Sequence, residues 1–189
     1  MTLEFTNVLK GVVTQSLLMA LLERGGYRVT RLGIEELFGE VKHIDIQQYL
    51  NLNLPLPLRY LPDLLVAEID MTHVFLVEVK FRRTFDQGTV VSLHEQLEKQ
   101  REYWPQSYTV IMIAEPFVLD GKFHQDYIRV LKPNEHDFLI DTHLSLAQRW
   151  ERLHHLQRVF TRFNNDRYII DVQKSADTLT QTLQDLVKL

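Results

Sequence analysis

Residues 61–81 read LPDLLVAEIDMTHVFLVEVKF, two runs dense in valine, leucine, isoleucine and phenylalanine around Asp70-Met71-Thr72-His73. Runs of this length and composition predict two strands, over 64–69 and 74–81, joined as a hairpin. Cross-strand partners project to one face of a hairpin, as do residues two apart on one strand. With Asp70 and His73 flanking the turn, Asp63 falls opposite Lys80. Asp63, Glu78 and Lys80 then gather on one face near the open end. A slip of one residue would send Asp63 to the other face. The turn carries no Asn-Gly or Asp-Gly pair to hold the register against that slip.

Upstream, Val8, Leu9, Val12, Val13, Leu17, Leu18, Leu21 and Leu22 recur at helical spacing, with Thr6 or Asn7 as the expected cap and Gly25-Gly26 as the stop. YRVTRL (27–32) alternates as a strand does. Short helices are expected over 34–38 and 44–50. NLNLPLPLRYLP (51–62), with its three prolines, reads as an extended connector. Downstream, a helix is expected over 90–103. YTVIMIA (108–114) is an unbroken apolar run, the pattern of a strand buried on both faces. A further strand is expected over 127–131, a helix over 142–160 and a last helix over 175–189. This order predicts an α/β fold: a single domain with a mixed central β-sheet flanked by helices, its core over about 7–131 and a C-terminal helical extension over about 142–189.

Two carboxylates beside an ammonium suit a hard divalent cation. Mg²⁺, or Mn²⁺ in its place, prefers carboxylate and water oxygens, and Asp63 and Glu78 with the Val79 carbonyl offer three. Such an ion makes water a nucleophile at neutral pH and stabilises charge on a phosphodiester, while Lys80 orients the water or steadies the phosphate. The plain alternative is a surface ion pair worth at most about 1 kcal/mol.

Leu61-Pro62-Asp63, a short hairpin and then Val77-Glu78-Val79-Lys80 resembles the signature of the PD-(D/E)XK nuclease superfamily. The similarity extends over roughly 9–114. It implies a restriction-endonuclease-like core and metal-dependent hydrolysis of DNA, with Asp63 and Glu78 as metal ligands and Lys80 as the third catalytic residue. Many members carry a glutamate four residues after a glycine on the first helix; here Gly11 is followed at that spacing by Gln15. That departure removes a carboxylate from the second metal position. Several branches place glutamine and tyrosine on the helix after the E-x-K strand, and Gln96, Gln100 and Tyr103 look similar. Gln15, Gln96 and Gln100 are therefore accessory candidates. The resemblance implies DNA as partner and leaves a homodimer open. The alternative is an inactive nuclease-fold protein acting as a nucleic-acid-binding or assembly module.

Composition bounds these readings. The net charge is −4, with 21 Lys+Arg against 25 Asp+Glu. That speaks against a general nucleic-acid coating protein, whose affinity comes from phosphate neutralisation. A local basic strip remains, with Arg82 and Arg83 as expected phosphate contacts, extended by Lys99 and Arg101. No cysteine occurs, which excludes disulfides and fits a reducing cytoplasm. No apolar run approaches the roughly 18 residues of a membrane span, and the first residues lack the pattern of a signal peptide.

Glu68 and Asp70, on the other hairpin face, are read as solvated or capping. Among the eight histidines, His73 and His94 flank the segments nearest the site. His154-His155 are adjacent on a predicted helix and diverge by about 100°. Trp150, Phe160 and Phe163, with Arg158, Arg162 and Arg167, form either core or an aromatic-basic partner surface.

Overall fold

The computed structural model describes residues 3–39, 41, 44–115, 118–119, 122–123, 127–164, 182 and 185. The elements in chain order are α1 (Leu3–Arg24), β1 (Tyr27–Arg31), α2 (Ile34–Leu37), α3 (Ile46–Asn51), α4 (Leu56–Arg59), β2 (Leu64–Glu68), β3 (Val74–Arg82), α5 (Gln87–Tyr103), β4 (Tyr108–Ile113), β5 (Val118–Leu119), β6 (Lys122–Phe123), β7 (Ile128–Leu131), α6 (Leu146–Arg152), β8 (His154–His155) and α7 (Leu156–Val159). Six strands form one mixed sheet in the order β1-β2-β3-β4-β7-β8, and β5 and β6 pair separately. Among the described residues only β3 and β4 run parallel, joined by α5, and the other ladders are antiparallel. The fold is α/β, with helices on a mixed open sheet. No helix among the described residues is long and apolar enough to cross a membrane.

Two apolar layers sandwich the sheet. In β4, Val110 and Met112 enter the layer under α1, and Ile111 and Ile113 enter the layer under α5. This explains the unbroken apolar run: both faces are covered, so neither register position is polar. β3 shares only the first layer. Val77 and Val79 pack toward Leu18, Leu21 and Leu22, whereas Glu78, Lys80 and Arg82 alternate onto the face that α5 covers. The fold thus sends three charged side chains of β3 toward a helix.

The hairpin register differs from expectation by two residues. Leu64 pairs with Val77 and Ala67 with Val74, and Glu68 N–H donates to the His73 carbonyl at 3.0 Å. Asp63 is thereby aligned with Glu78 rather than with Lys80. Asp70 does not flank the turn but closes it from within: its Oδ1 accepts from the Thr72 N–H at 3.2 Å and hydroxyl at 2.9 Å. Met71 takes the left-handed conformation, φ 60°. A slip of two, unlike a slip of one, returns every side chain to its own face.

Other expectations are corrected. α1 begins by Leu3, so Thr6 and Asn7 lie inside it and do not cap it; Leu, Glu and Phe all sustain a helix. The proline-rich connector contains α4, because Pro55 precedes the helix and Pro57 occupies its first turn, where no N–H is needed. The helix expected over 142–160 is broken at Leu153. There the chain extends as β8 and satisfies the edge of β7, Arg129 aligning with His155 and Val130 with His154. The C-terminal region is therefore not purely a helical extension. The helix expected over 175–189 lies almost wholly outside the described residues, as does Arg167.

α1 ends where expected. Gly26 adopts φ 84°, and the N–H groups of Gly25 and Gly26 return to Leu21 and Glu23 at 3.0 and 2.9 Å. A methyl at Gly25 would lie 2.3 Å from the Phe163 ring. Gly25→Ala is expected to destabilise the fold by about 1–3 kcal/mol through overpacking. Urea denaturation measures this, and a change below about 0.5 kcal/mol would show that the ring yields freely.

Candidate active site

Asp63, Glu78 and Lys80 come together in a pocket of about 390 Å³, walled by the sheet, by α5 through Gln96, Lys99 and Gln100, and by residues 33–35 and 59–61. Asp63 sits where β2 begins. Its main-chain carbonyl accepts from Leu32 N–H at 2.8 Å, which carries the β1–β2 ladder one step further. Its Oδ2 accepts the Val79 N–H at 2.7 Å, at the point where β2 no longer supplies a partner. Its Oδ1 accepts from Gln15 Nε2 at 2.8 Å. The carboxylate therefore links α1 to the middle of β3.

Glu78 is buried, 8% exposed. Its Oε1 meets Lys80 Nζ at 2.5 Å and its Oε2 accepts from Gln100 Nε2 at 2.6 Å. All four carboxylate oxygens thus have a donor, and only one donor is charged. Burial first, and then the Glu78 carboxylate, pushes the Asp63 carboxyl up to about 8; the Val79 N–H and Lys80 act in the opposite direction. Glu78 is buried and Asp63 half-buried, and the only charged group among the donors they accept from is the Lys80 ammonium, so the pair is locally short of positive charge. A cation bound here would relieve that shortage, because opposite charge favours the ionised form. Asp63 and Glu78 are the residues able to hold it, with the oxygen donors that a hard ion prefers.

The accessory candidates divide. Gln15 and Gln100 each bind one carboxylate. Gln96 Oε1 accepts from Arg82 Nη2 at 2.9 Å, which together with the Phe81 carbonyl engages that guanidinium. Arg83 pairs with Glu115 at 2.6 Å, both partners well exposed. Lys99 lines the pocket. Arg101 does not extend the strip. Two positions along a helix rotate a side chain by about 200°, and Arg101 is buried on the far side of α5, donating to the Lys132 carbonyl at 2.8 Å.

Neither histidine singled out above lines the pocket. His73 lies exposed at the hairpin tip, 3.3 Å from Glu68. His94 stacks on His136, with ring centroids 5.5 Å apart. His94, Glu98 and His136 offer ligand atoms within 4.8 Å of one another. Arg101, always a donor, hydrogen-bonds His136 Nδ1, and this places the imidazole proton on Nε2. Burial and Arg101 hold the His136 pKa below its ordinary value. An ion here would have to displace Arg101. His154 and His155 form the edge strand β8, with His154 on Glu135 at 2.7 Å. Trp150, Phe160 and Phe163 are core, at most 3% exposed, so no aromatic-basic surface forms from them.

The sequence reading missed the wall built by the β1–β2 excursion, to which Glu35 and Tyr60 belong. Arg59 anchors it, donating to the carbonyls of Leu50, Leu52 and Leu54. Trp104 Nε1 ties it to α5 through the Pro57 carbonyl at 2.8 Å. A helix start at Pro55-Leu56-Pro57 was the available signal.

No family model matches the chain, and no curated protein or solved structure matches it at a significant level.

Proposed function

We propose that the protein is a metal-dependent phosphodiesterase of the PD-(D/E)XK type that cleaves DNA. The observation that carries the reading is the alignment of Asp63 with Glu78 across the hairpin, with Lys80 on Glu78, inside one pocket. The strand order lends support: an antiparallel β1–β2–β3 meander, then α5 leading to β4 parallel to β3.

Asp63 and Glu78 would hold Mg²⁺ or Mn²⁺. The ion, when bound, supplies Lewis-acid stabilisation of charge on the phosphate. Gln15 and the Val79 N–H fix the Asp63 carboxylate, and Gln100 fixes that of Glu78. Lys80, an ammonium with three donors, orients the attacking water or binds a phosphate oxygen. A cysteine-free chain suits a cytoplasmic setting, which we include in the proposal.

Lys80→Ala is expected to lower metal-dependent nicking of supercoiled plasmid by more than about a hundredfold while the protein stays folded. Activity that survives the substitution removes Lys80 from the mechanism. One observation favours the second reading, an inactive binding module. Gln15 places a neutral amide on Asp63, where the superfamily often has a glutamate. If the wild-type protein cuts no form of DNA with either ion, that second reading takes over.

A further inference from the structure

We infer that the pocket takes an unpaired nucleotide, its base stacking on Tyr60, so that the substrate is single-stranded nucleic acid or a strand locally opened. The inference rests on reading the pocket as a nucleic-acid site. The carboxylates lie in a half-open pocket. They sit in a space of about 390 Å³, the scale of a small-ligand cleft, closed on one side by the β1–β2 excursion. That wall is held in place by Arg59 on three main-chain carbonyls and by Trp104 on Pro57. A base-paired strand would carry its complement into this wall, whereas a single strand enters without it.

The wall also holds an aromatic surface. Tyr60 lines the pocket and stacks on Tyr103 of α5, with the ring planes 1° apart and the centroids 5.5 Å apart. Both rings are half-buried. A parallel pair of this kind is a rigid platform that a nucleobase can extend, since every base offers a π-face. Lys80 and Lys99 line the same pocket and supply positive charge for one backbone phosphate. Arg59 also lines the pocket and keeps its charge, with its Nε and Nη2 donors engaged by main-chain carbonyls.

The test is fluorescence anisotropy on the full chain in EDTA, so that binding is read without cleavage. The probes are a labelled single-stranded DNA of about 15 nucleotides and the same strand annealed to its complement. The single strand is expected to bind at least about tenfold tighter than the duplex. Tyr60→Leu should lose about tenfold of single-strand affinity, and Tyr60→Phe should keep it. Melting curves establish that the variants fold, and Tyr103→Leu, which removes the supporting ring, serves if Tyr60→Leu does not. Equal binding of the two probes, no binding of either, or single-strand affinity unchanged in Tyr60→Leu overturns the inference. Tyr60-dependent binding by a protein that cuts no DNA would sustain it while removing the phosphodiesterase reading.

Discussion

Asp63→Asn is expected to abolish metal-dependent cleavage and, at the same time, to make the metal-free protein more stable above neutral pH. The loss of cleavage follows from removal of a ligand carboxylate. Substitutions one shell further out cost about 10–100-fold, so the loss of a ligand exceeds a hundredfold. The gain in stability follows from the pocket. In the unfolded chain Asp63 titrates near its ordinary value of 3.8, and in the folded chain burial and Glu78 raise it to about 8. The folded state thus prefers the protonated carboxyl. The stabilisation linked to that preference is complete below about pH 4 and is lost as pH rises through about 8. Asparagine is neutral throughout and nearly isosteric. Its carbonyl accepts the Val79 N–H, and its amide donates to Gln15 once the Gln15 amide turns over. Melting curves in EDTA for the two proteins should coincide near pH 4 and separate progressively above it, with the variant higher. Groups that do not interact with Asp63 move both curves alike, so the difference reports Asp63 together with the neighbours coupled to it, Glu78 and Lys80. Mg²⁺ should then raise the melting temperature of the wild type and not that of the variant. Parallel curves across this range would mean that Asp63 is not held protonated, and the charge shortage assigned to the site would be wrong.

That pocket was only partly legible in the sequence. A strand covered on both faces has to be apolar throughout, so β4 was visible in YTVIMIA. The alternation of β3 was visible for the same reason: Val77 and Val79 pack under α1 while Glu78 and Lys80 turn toward α5. The register was not legible, because the Asx turn made by Asp70 and Thr72 depends on geometry that no dipeptide announces. The error did no harm to the site, since a shift of two preserves the faces. Gln15 could be read as a missing carboxylate and an accessory candidate, but not as the partner of Asp63. Its contact with Asp63 spans 48 positions, which local patterning cannot supply. The wall of the pocket was hidden because Pro55 and Pro57, which argue against a strand, are equally at home at the start of a short helix.

The same limit applies to the last third of the chain, and it leads to the second large effect. Phe160→Ala is expected to cost about 3–5 kcal/mol, as truncation of a buried aromatic does. A helical reading of 142–160 made Phe160 one position in a stripe, read as core first, with a partner surface as the sharper alternative. In the fold it is fully buried in the layer under α1. Its ring lies 5.6 Å from Tyr27 on β1 and 5.1 Å from Phe75 on β3. It therefore braces two of the three strands that frame the pocket, from the face opposite Glu78 and Lys80. The break at Leu153 makes this possible. β8 returns the chain along β7, and α7 then carries Phe160 beneath the sheet, where a continuous helix would have led it elsewhere. Urea denaturation followed by tryptophan fluorescence measures the loss. If Phe160 were a surface residue the change would fall within about 0.5 kcal/mol, and the C-terminal region would be an appendage to the sheet. A loss of the expected size makes it part of the foundation on which Asp63 and Glu78 are aligned.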